Sequence, residues 1–424
     1  MKKIIALLLA CMMFIGLVAC GGSTTEPTSA PAENNNANAE APAEVQDITL
    51  KVWGPQEDQA DENSFLQVAC GKFAEAHPEY NITWVFEVCA EGDAGTMVTK
   101  DPSAAADVYM YANDQLGALI QANAIAKLGG DALAQVQADN SEHMVSTVST
   151  DGSVYGVPYA INTWFMYYDK SVYTEEDIKS LDAMMAKKPV AFEVTNTWYL
   201  PAFYYAVGGT MFGDGTDGSQ GVQFGGEQGA AATLYVAEAL ASGNMIEGGG
   251  GAGMDALRNG TVGAIFSGTW DAANVAEALG ENYAAAQLPC VTINGEECQL
   301  KSFAGSKAFG VNPNSANMKA AYALAAWLGS AEMQDLHYEI RNGEVVPCAL
   351  SLLSGDEYST NPAAVAQEAT FSNTSVLQPS IPEMNTYWGN ADSMGKALAN
   401  GEIDASNAAD MTEKWNAGLN GTGL

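Results

Sequence analysis

The sequence predicts an α/β protein, and two observations carry this prediction. From residue 48 onward, segments that alternate like β-strands take turns with segments of helical periodicity. A β-α-β-α order of this kind is typical of a parallel sheet with helices on its faces. The chain is also 424 residues long, which exceeds one small domain. We therefore expect two or three lobes.

The first predicted elements follow one another closely. A strand is predicted over residues 48–53, a helix across residues 65–73 and a second strand over residues 81–87. A third strand over residues 107–111 precedes a helix that starts near Asp114. This rhythm favours a parallel sheet in the first lobe.

The middle of the chain continues the same pattern. A strand begins at residue 154 and runs on through residue 168, and an aromatic helix over residues 198–207 is closed by two glycines. Further strands are predicted over residues 261–267 and 307–311, and a long helix over residues 318–328.

Residues 378–388 (Gln-Pro-Ser-Ile-Pro-Glu-Met-Asn-Thr-Tyr-Trp) predict a loop that leads into a helix. Ser380 and Glu383 have the spacing of a capping box, and Pro382 suits a first helical turn. An apolar stripe marks the buried face of this helix and consists of Met384, Tyr387, Ala391, Met394 and Leu398. Trp388 lies beside the stripe, where its ring fits either a core or the floor of a ligand cleft.

The charge of the chain excludes some partners. There are 51 acidic against 17 basic residues, a formal net charge of −34. Nucleic acids and anionic membrane surfaces require basic patches, so neither is expected as a partner. The balance favours an exported protein with a neutral or cationic ligand.

The first 47 residues predict a signal peptide followed by a tether. Lys2 and Lys3 precede an apolar run, and residues 17–21 (Leu-Val-Ala-Cys-Gly) resemble a bacterial lipobox. Residues 1–19 would be a lipoprotein signal peptide and Cys20 the lipidated residue. Residues 20–47 contain little that can be buried, so we expect a disordered tether between the lipid and the folded part. The alternative is an ordinary secretory peptide.

Five cysteines follow Cys20, and two of them, Cys290 and Cys298, flank a hairpin signal. A three-residue loop that ends in Gly295 would place them opposite each other and allow a disulfide. A two-residue Asn-Gly turn would offset them by one position. The scattered histidines and the lack of a Cys-x-x-Cys motif predict no metal site.

The motifs of common enzymes are weak or absent in the sequence. The glycine run at residues 248–253 fits Gly-x-Gly-x-x-Gly but follows no predicted strand, so a flexible loop is the better interpretation. Acidic pairs such as Glu57-Asp58 leave a glycoside hydrolase open by count alone. Aromatic residues instead recur near strand ends and helix starts, where open α/β sheets bind ligands. Aromatic faces with polar groups between them suit sugars.

Several segments match a known family in order and spacing. They are Val52-Trp53, residues 107–114 (Asp-Val-Tyr-Met-Tyr-Ala-Asn-Asp), residues 157–161 (Val-Pro-Tyr-Ala-Ile), residues 168–170 (Tyr-Asp-Lys), residues 259–270 (Asn-Gly-Thr-Val-Gly-Ala-Ile-Phe-Ser-Gly-Thr-Trp) and residues 379–388. In this order the chain resembles the maltose/maltodextrin-binding group of extracellular solute-binding lipoproteins, the capture component of carbohydrate ABC importers. The similarity extends over residues 48–420.

The resemblance implies a two-lobe periplasmic-binding-protein fold (type II, maltose-binding-like) with a hinge between the lobes near residues 160 and 305. Lobe 1 would comprise residues 48–160 and 306–354, and lobe 2 residues 161–305 and 355–424. Nine positions fall on residues that bind ligand in the family: Glu57, Asp58, Tyr111, Asp114, Asn162, Trp198, Tyr199, Trp270 and Trp388. Of these, Tyr111, Trp270 and Trp388 match sugar-stacking aromatics, and Asp114 matches a carboxylate that binds hydroxyls.

The chain also departs from the family's pattern. Asn162 replaces a glutamate, Gln115 a basic residue and Asp392 an arginine, while the glycines at 248–251 replace a cleft tyrosine. These differences leave the identity of the sugar open.

The implied function is capture of an oligosaccharide and its delivery to the permease subunits of an ABC importer. An α-glucan such as a maltodextrin is the expected ligand. No catalysis, cofactor or metal is expected, and the protein would be a monomer held on the outer side of the cell membrane by lipid at Cys20. The alternatives are a binding protein for another sugar or a peptide, or a secreted glycan-degrading enzyme.

Overall fold

A computed structural model describes residues 45–422. The predicted signal peptide, the lipidation site Cys20 and the tether as far as residue 44 lie outside the described residues. The first strand begins at Gln46, two residues earlier than its predicted start at residue 48.

The strands of the described part are β1 (Gln46–Gly54), β2 (Tyr80–Val88), β3 (Val108–Ala112), β4 (Ser149–Thr150), β5 (Ser153–Val154), β6 (Gly156–Asn162), β7 (Phe165–Asp169), β8 (Val190–Phe192), β9 (Thr210–Met211), β10 (Val222–Gln223), β11 (Met245–Glu247), β12 (Ala264–Ser267), β13 (Tyr283–Ala286), β14 (Cys290–Ile293), β15 (Glu296–Gln299), β16 (Ser302–Val311) and β17 (Ser375–Leu377).

The α-helices of the same part are α1 (Phe65–Ala76), α2 (Ala94–Lys100), α3 (Leu116–Gln121), α4 (Gly130–Asp139), α5 (Glu142–Thr147), α6 (Leu181–Lys187), α7 (Pro201–Ala206), α8 (Gly226–Ala241), α9 (Ala252–Arg258), α10 (Ala272–Leu279), α11 (Met318–Leu328), α12 (Ala331–Ile340), α13 (Leu350–Leu353), α14 (Asp356–Ser359), α15 (Pro362–Asn373), α16 (Met384–Asn390), α17 (Asp392–Ala399) and α18 (Ala408–Leu419).

The larger sheet has the order β17-β16-β3-β1-β2, and β6 also pairs with β16. Strand β1 is parallel to both β2 and β3, as the β-α-β-α rhythm predicts. Strand β16 runs antiparallel to β3, so the sheet is mixed rather than wholly parallel. All five residues of β3 are buried, because the strand is central and covered on both faces.

The second sheet has the order β11-β8-β12-β7-β13. Its central strands β8 and β12 are parallel, whereas β7 runs antiparallel to β12 and β13. Each large sheet packs into apolar clusters of its own, one around Leu50, Val52 and Phe65 and another around Met166 and Phe192. Burial of these side chains is the main favourable contribution to folding at each sheet.

The chain passes from one sheet to the other between β6 and β7. A single continuous strand was expected here, but β6 ends at Asn162 and β7 begins at Phe165. Between them Thr163 is fully buried, and its hydroxyl contacts Ser302 Oγ at 2.7 Å and donates to the carbonyl of Phe303 at 2.7 Å. The start of β16 therefore holds the point at which the chain crosses.

The hairpin of β14 and β15 decides between the two turn lengths and contradicts the possible disulfide between Cys290 and Cys298. Its turn has two residues, Asn294 and Gly295, both with positive φ, as an Asn-Gly hairpin turn requires. In the resulting register Cys298 pairs with Val291, and Cys290 pairs with Gln299. The two cysteines are offset by one position, so their side chains point to opposite faces and both thiols are free.

Residues 378–398 pack as the sequence predicts, but the predicted capping box does not form. Helix α16 begins at Met384, and neither Ser380 nor Glu383 makes the hydrogen bonds of a capping box. All members of the predicted apolar stripe are buried. Within residues 45–422, no helix is long and apolar enough to cross a bilayer.

Candidate ligand cleft

The floor of the cleft is built by β6 and β16 where they cross between the sheets. Asn162, the last residue of β6, pairs with Gly305 of β16. A Cβ atom at position 305 would lie 2.5 Å from Asn113 Oδ1 and 2.9 Å from the carbonyl oxygen of Asn162, so this close approach requires glycine. The side of the floor that carries Asn162 opens into two adjacent cavities.

The wider cavity has a volume of about 410 Å³. Its polar and aromatic lining consists of Asp114, Gln115, Asn162, Trp198, Gln378 and Trp388. The indole Nε1 of Trp198 donates to Gln378 Oε1 at 2.7 Å, which fixes the tilt of that ring. Trp388 is half-buried and packs edge-on against Phe303, with 6.1 Å between the ring centroids. Both indoles are thus held by the protein while part of each ring remains accessible.

Asp114 is the acidic group of this wider cavity. Burial raises the pKa of its carboxyl group, although hydrogen bonds from Gln115 and from backbone N–H groups act in the opposite direction. The Gln115 amide donates to Asp114 Oδ2 at 2.8 Å. The carboxylate is thereby oriented by the protein at the wall of the cavity.

The narrower cavity has a volume of about 80 Å³. Charged side chains of Glu57, Lys307, Arg341 and Glu344 line it together with Asn162 and Trp270. The Trp270 ring is 43% exposed, and its centroid lies 6.0 Å from that of Trp198. These two indoles and Asn162 connect the cavities into one cleft.

A network of ion pairs lies behind the narrow end. Arg341 Nη1 donates to Asp58 Oδ1 at 3.0 Å, and Nη2 donates to Glu344 Oε2 at 3.0 Å and lies 3.7 Å from Glu57 Oε1. His337 Nε2 lies 2.9 Å from Asp58 Oδ1. Burial alone would raise the pKa of Asp58, but His337 and Arg341 outweigh it and hold that pKa below its usual range.

A second charged pair stands on the crossing strand. Lys307 Nζ lies 2.9 Å from Glu91 Oε1, which also accepts a hydrogen bond of 2.9 Å from the Tyr159 hydroxyl. Burial would raise the pKa of Glu91, but Lys307 and the hydrogen bonds lower it. This pair ties the middle of β16 to the loop after β2.

The structure brings six of the nine predicted residues to the cleft: Glu57, Asp114, Asn162, Trp198, Trp270 and Trp388. Their contact with ligand stays a prediction. The other three, Asp58, Tyr111 and Tyr199, are buried, so the structure does not bring them to the cleft, and their contact with ligand also stays a prediction. Asp58 is 1% exposed and bonded to His337 and Arg341. The rings of the remaining two are covered by protein.

Tyr111 and Tyr199 belong to the cores rather than to the cleft. Tyr111 is fully buried, and a Cβ atom on Gly156 would lie 2.2 Å from its hydroxyl oxygen. Tyr199 is 3% exposed and stacks on Trp164 at 4.7 Å. A ring enclosed in this way has no free face to offer a sugar. Among the four departures from the family pattern, Asn162 and Gln115 line the cleft.

The lining residues that the sequence did not predict include three charged side chains, Lys307, Arg341 and Glu344, and the amide of Gln378. One signal was available, because the chain contains only two arginines, Arg258 and Arg341. A cation that rare in an acidic chain is a candidate for a specific role. Within the described residues, no group of three or more His, Cys, Asp or Glu side chains could hold a metal ion.

Comparison with known proteins decides the family. Residues 69–367 match the family model of the bacterial extracellular solute-binding proteins. The chain belongs to this family. The predicted resemblance is confirmed, and the family is one of binding proteins that act outside the cell.

Individual relatives agree with the family model. The galactooligosaccharide-binding protein of Bacillus subtilis (strain 168) is 26% identical to this solute-binding protein over 97% of this chain and 95% of its own. A structure solved with acarbose is 48% identical, with a TM-score of 0.83, and the match covers 88% of this chain and 99% of the other. The maltodextrin-binding protein from L. casei BL23, solved without ligand, is 26% identical with a TM-score of 0.79, over 88% and 98% of the two chains. The two-lobe α/β fold is confirmed.

Proposed function

We propose that this solute-binding protein captures an oligosaccharide in the cleft and delivers it to the permease subunits of an ABC importer, with an α-glucan such as a maltodextrin as ligand. The observation that carries the proposal is the convergence of Trp198, Trp270 and Trp388 on one cleft with Asn162 at its floor. These indoles come from three distant segments of the chain. Flat apolar faces beside fixed hydrogen-bonding groups suit the C–H faces and hydroxyls of sugar rings.

The relatives support an oligosaccharide as the ligand. The Bacillus subtilis protein is named for galactooligosaccharides, the L. casei protein for maltodextrin, and the 48% identical structure was solved with acarbose. The proposal of an α-glucan follows the two structural relatives, because they are similar to this chain across the whole cleft-forming region.

The hinge is part of the proposal. We assign residues 48–160 and 306–354 to lobe 1 and residues 161–305 and 355–424 to lobe 2. The pairing of β6 with β16 and of β16 with β17 supports crossing points near residues 160 and 305. Ligand would favour the closed state by binding it more tightly than the open state.

The site of action is proposed from the sequence and the family together. The family is extracellular. We propose that lipid on Cys20 holds a monomer at the outer face of the cell membrane, close to its permease. No cofactor, metal or catalytic step is part of this function.

Calorimetric titration tests the proposal most directly. The chain without its predicted signal residues 1–19 would be titrated with malto-, xylo- and galacto-oligosaccharides. We expect a heat of binding with maltotriose or longer maltodextrins and little change of affinity with salt, because a neutral sugar adds no charge. The absence of binding to every carbohydrate would refute the function.

The alternative of a glycan-degrading enzyme makes a different prediction. Glu57 and Glu344, the carboxylates at the narrow end, both pair with Arg341, whereas glycoside hydrolysis requires two carboxyl groups free to act on a bond between them. Release of reducing sugar during long incubation with a maltodextrin would favour the enzyme. A peptide ligand would be favoured by binding to peptides and to no sugar.

A further inference from the structure

The two ends of the cleft differ in how their charges are balanced. At the narrow end, each lining carboxylate lies near Arg341, and Lys307 is paired with Glu91. At the wide end, Asp114 is the acidic residue of the lining, and that lining contains no Lys, Arg or His among the described residues. The hydrogen-bond partners of the Asp114 side chain are the amide of Gln115 and backbone N–H groups, all of which are neutral. The wide end therefore has an excess of one negative charge.

The groups around Asp114 determine which kind of cation this excess negative charge suits. Trp198 and Trp388 line the same cavity, and the faces of indole rings attract cations. The Trp198 N–H is already used by Gln378, so it does not donate to the carboxylate. A carboxylate that lines the same cavity of about 410 Å³ as two indoles is a site that suits a protonated amine.

The charge of the whole chain acts in the same direction. A formal net charge of −34 raises the local concentration of cations around the protein and favours their approach. Arg341 and Lys307 lie at the other end of the cleft and are neutralised there. They are not partners of Asp114.

We propose that the wide end of the cleft selects oligosaccharides that carry a protonated amine, with Asp114 as its counter-ion and the indoles of Trp198 and Trp388 around it. This inference rests on the proposed function and narrows its ligand class to amino-substituted sugars. A neutral glucan binds the same cleft through its hydroxyls but leaves the charge of Asp114 uncompensated.

The experiment compares matched ligands by calorimetry on the chain without residues 1–19. The ligands are maltotetraose, its mono-6-amino-6-deoxy derivatives with the amine on each ring in turn, and the N-acetyl form of each derivative. We expect at least one amine to bind about tenfold more tightly than maltotetraose, and its N-acetyl form to lose this gain. The gain should shrink as salt is raised, because it depends on charge.

Two variants test whether the gain in affinity for the amine arises at Asp114, and a third is the control. Asp114→Asn should abolish the gain of the amine, because the side chain keeps its size and loses its charge. Gln115→Lys should also abolish it, because a lysine there would neutralise Asp114. Asp410→Asn, in an exposed ion pair with Lys414 on α18, should leave the gain intact.

The outcomes separate the two proposals. If maltotetraose binds and no amine binds more tightly, or if the gain survives Asp114→Asn, the amine site is refuted and the oligosaccharide function stands. If an amine binds and maltotetraose does not, the amine site is supported and the neutral glucan is excluded. If none of the sugars binds, both proposals fall.

Discussion

The indole nitrogen of Trp198 donates a 2.7 Å hydrogen bond to Gln378, a residue 180 positions later in the chain. The backbone N–H of Gln378 in turn donates to the carbonyl of Ala304 on β16 at 3.0 Å. One glutamine thus connects an aromatic wall of the cleft to its crossing strand. The orientation of the ring depends on this connection.

Gln378→Met tests that dependence. Methionine keeps a similar length but leaves the Trp198 N–H without its acceptor, so the ring loses its fixed tilt. We expect oligosaccharide affinity to fall about tenfold, the equivalent of one hydrogen bond of about 1.4 kcal/mol, with little loss of stability. Calorimetry measures the affinity. Gln223→Met, on an exposed strand end, is the control and should bind normally; equal affinities in the two variants would show that the bond has no role in binding.

Trp388 and its neighbour Tyr387 should behave in opposite ways. Trp388 is half-buried at the cleft, so Trp388→Ala should weaken sugar binding at least tenfold and leave the unfolding midpoint nearly unchanged. Tyr387 is fully buried and donates to the carbonyl of Thr197 at 2.6 Å. Tyr387→Ala should cost about 3–5 kcal/mol of stability. Thermal unfolding and calorimetry on both variants check this, and a loss of fold in Trp388→Ala would assign that ring to the core.

Asp58 gives the protein a pH-dependent contribution to stability. Because its pKa is lower in the folded state, its ion pairs stabilise the fold fully above the unfolded-state pKa of about 3.9, and this contribution is lost as pH falls through the folded value. Asp58→Asn should cost about 3 kcal/mol at pH 7, since it removes the charge of a buried carboxylate that pairs with both His337 and Arg341.

Urea unfolding from pH 7 to pH 3 measures this contribution. The difference in unfolding free energy between the wild-type protein and Asp58→Asn should narrow as the pH falls. Asp61→Asn, an exposed residue of the same loop, serves as the control with a small effect at each pH. A difference that stays constant over this range would mean that Asp58 contributes by packing and not by its charge.

Gly305 is expected to tolerate no side chain. A methyl group there would meet Asn113 Oδ1 and the backbone oxygen of Asn162, and the backbone atom cannot rotate away. Gly305→Ala should destabilise the protein by about 1–3 kcal/mol and should alter closure on ligand, which small-angle scattering detects as a change in radius of gyration. Gly71→Ala is the matched control, because a Cβ atom at this position of α1 meets nothing within 4 Å. It should be neutral or stabilise by about 0.5–1 kcal/mol; equal effects of the two changes would refute the steric argument.

Local patterns in the sequence were sufficient to predict strands β1 to β3 and the buried stripe that starts at Met384. The strands follow from the alternation of apolar and polar residues, and the stripe follows from the helical period. The sequence did not determine the register of the β14–β15 hairpin, since both turn lengths are compatible with the residues around Gly295. Only the structure selects the two-residue turn.

The charged end of the cleft could not be predicted in the same way. Arg341 and Asp58 are 283 positions apart, and nothing in their local sequence shows that they meet. The same holds for Tyr111, which is buried because Gly156 of another strand lets the backbone approach its hydroxyl. Position within a family motif gave the right place in the fold but not the accessibility of the side chain.

The crossing strand β16 is held firmly at its middle. Ser306 accepts a hydrogen bond of 2.6 Å from Thr147, and Lys307 is paired with Glu91, so these residues stay with the larger sheet. Under the proposed closure, rotation must be taken up by residues 302–305 and 162–163. The pivot then coincides with the floor of the cleft, where displacements are small. A sugar hydroxyl at Asn162 would then keep nearly the same contact throughout, whereas residues away from the pivot, such as the 43% exposed Trp270, would change their contacts between the open and the closed state.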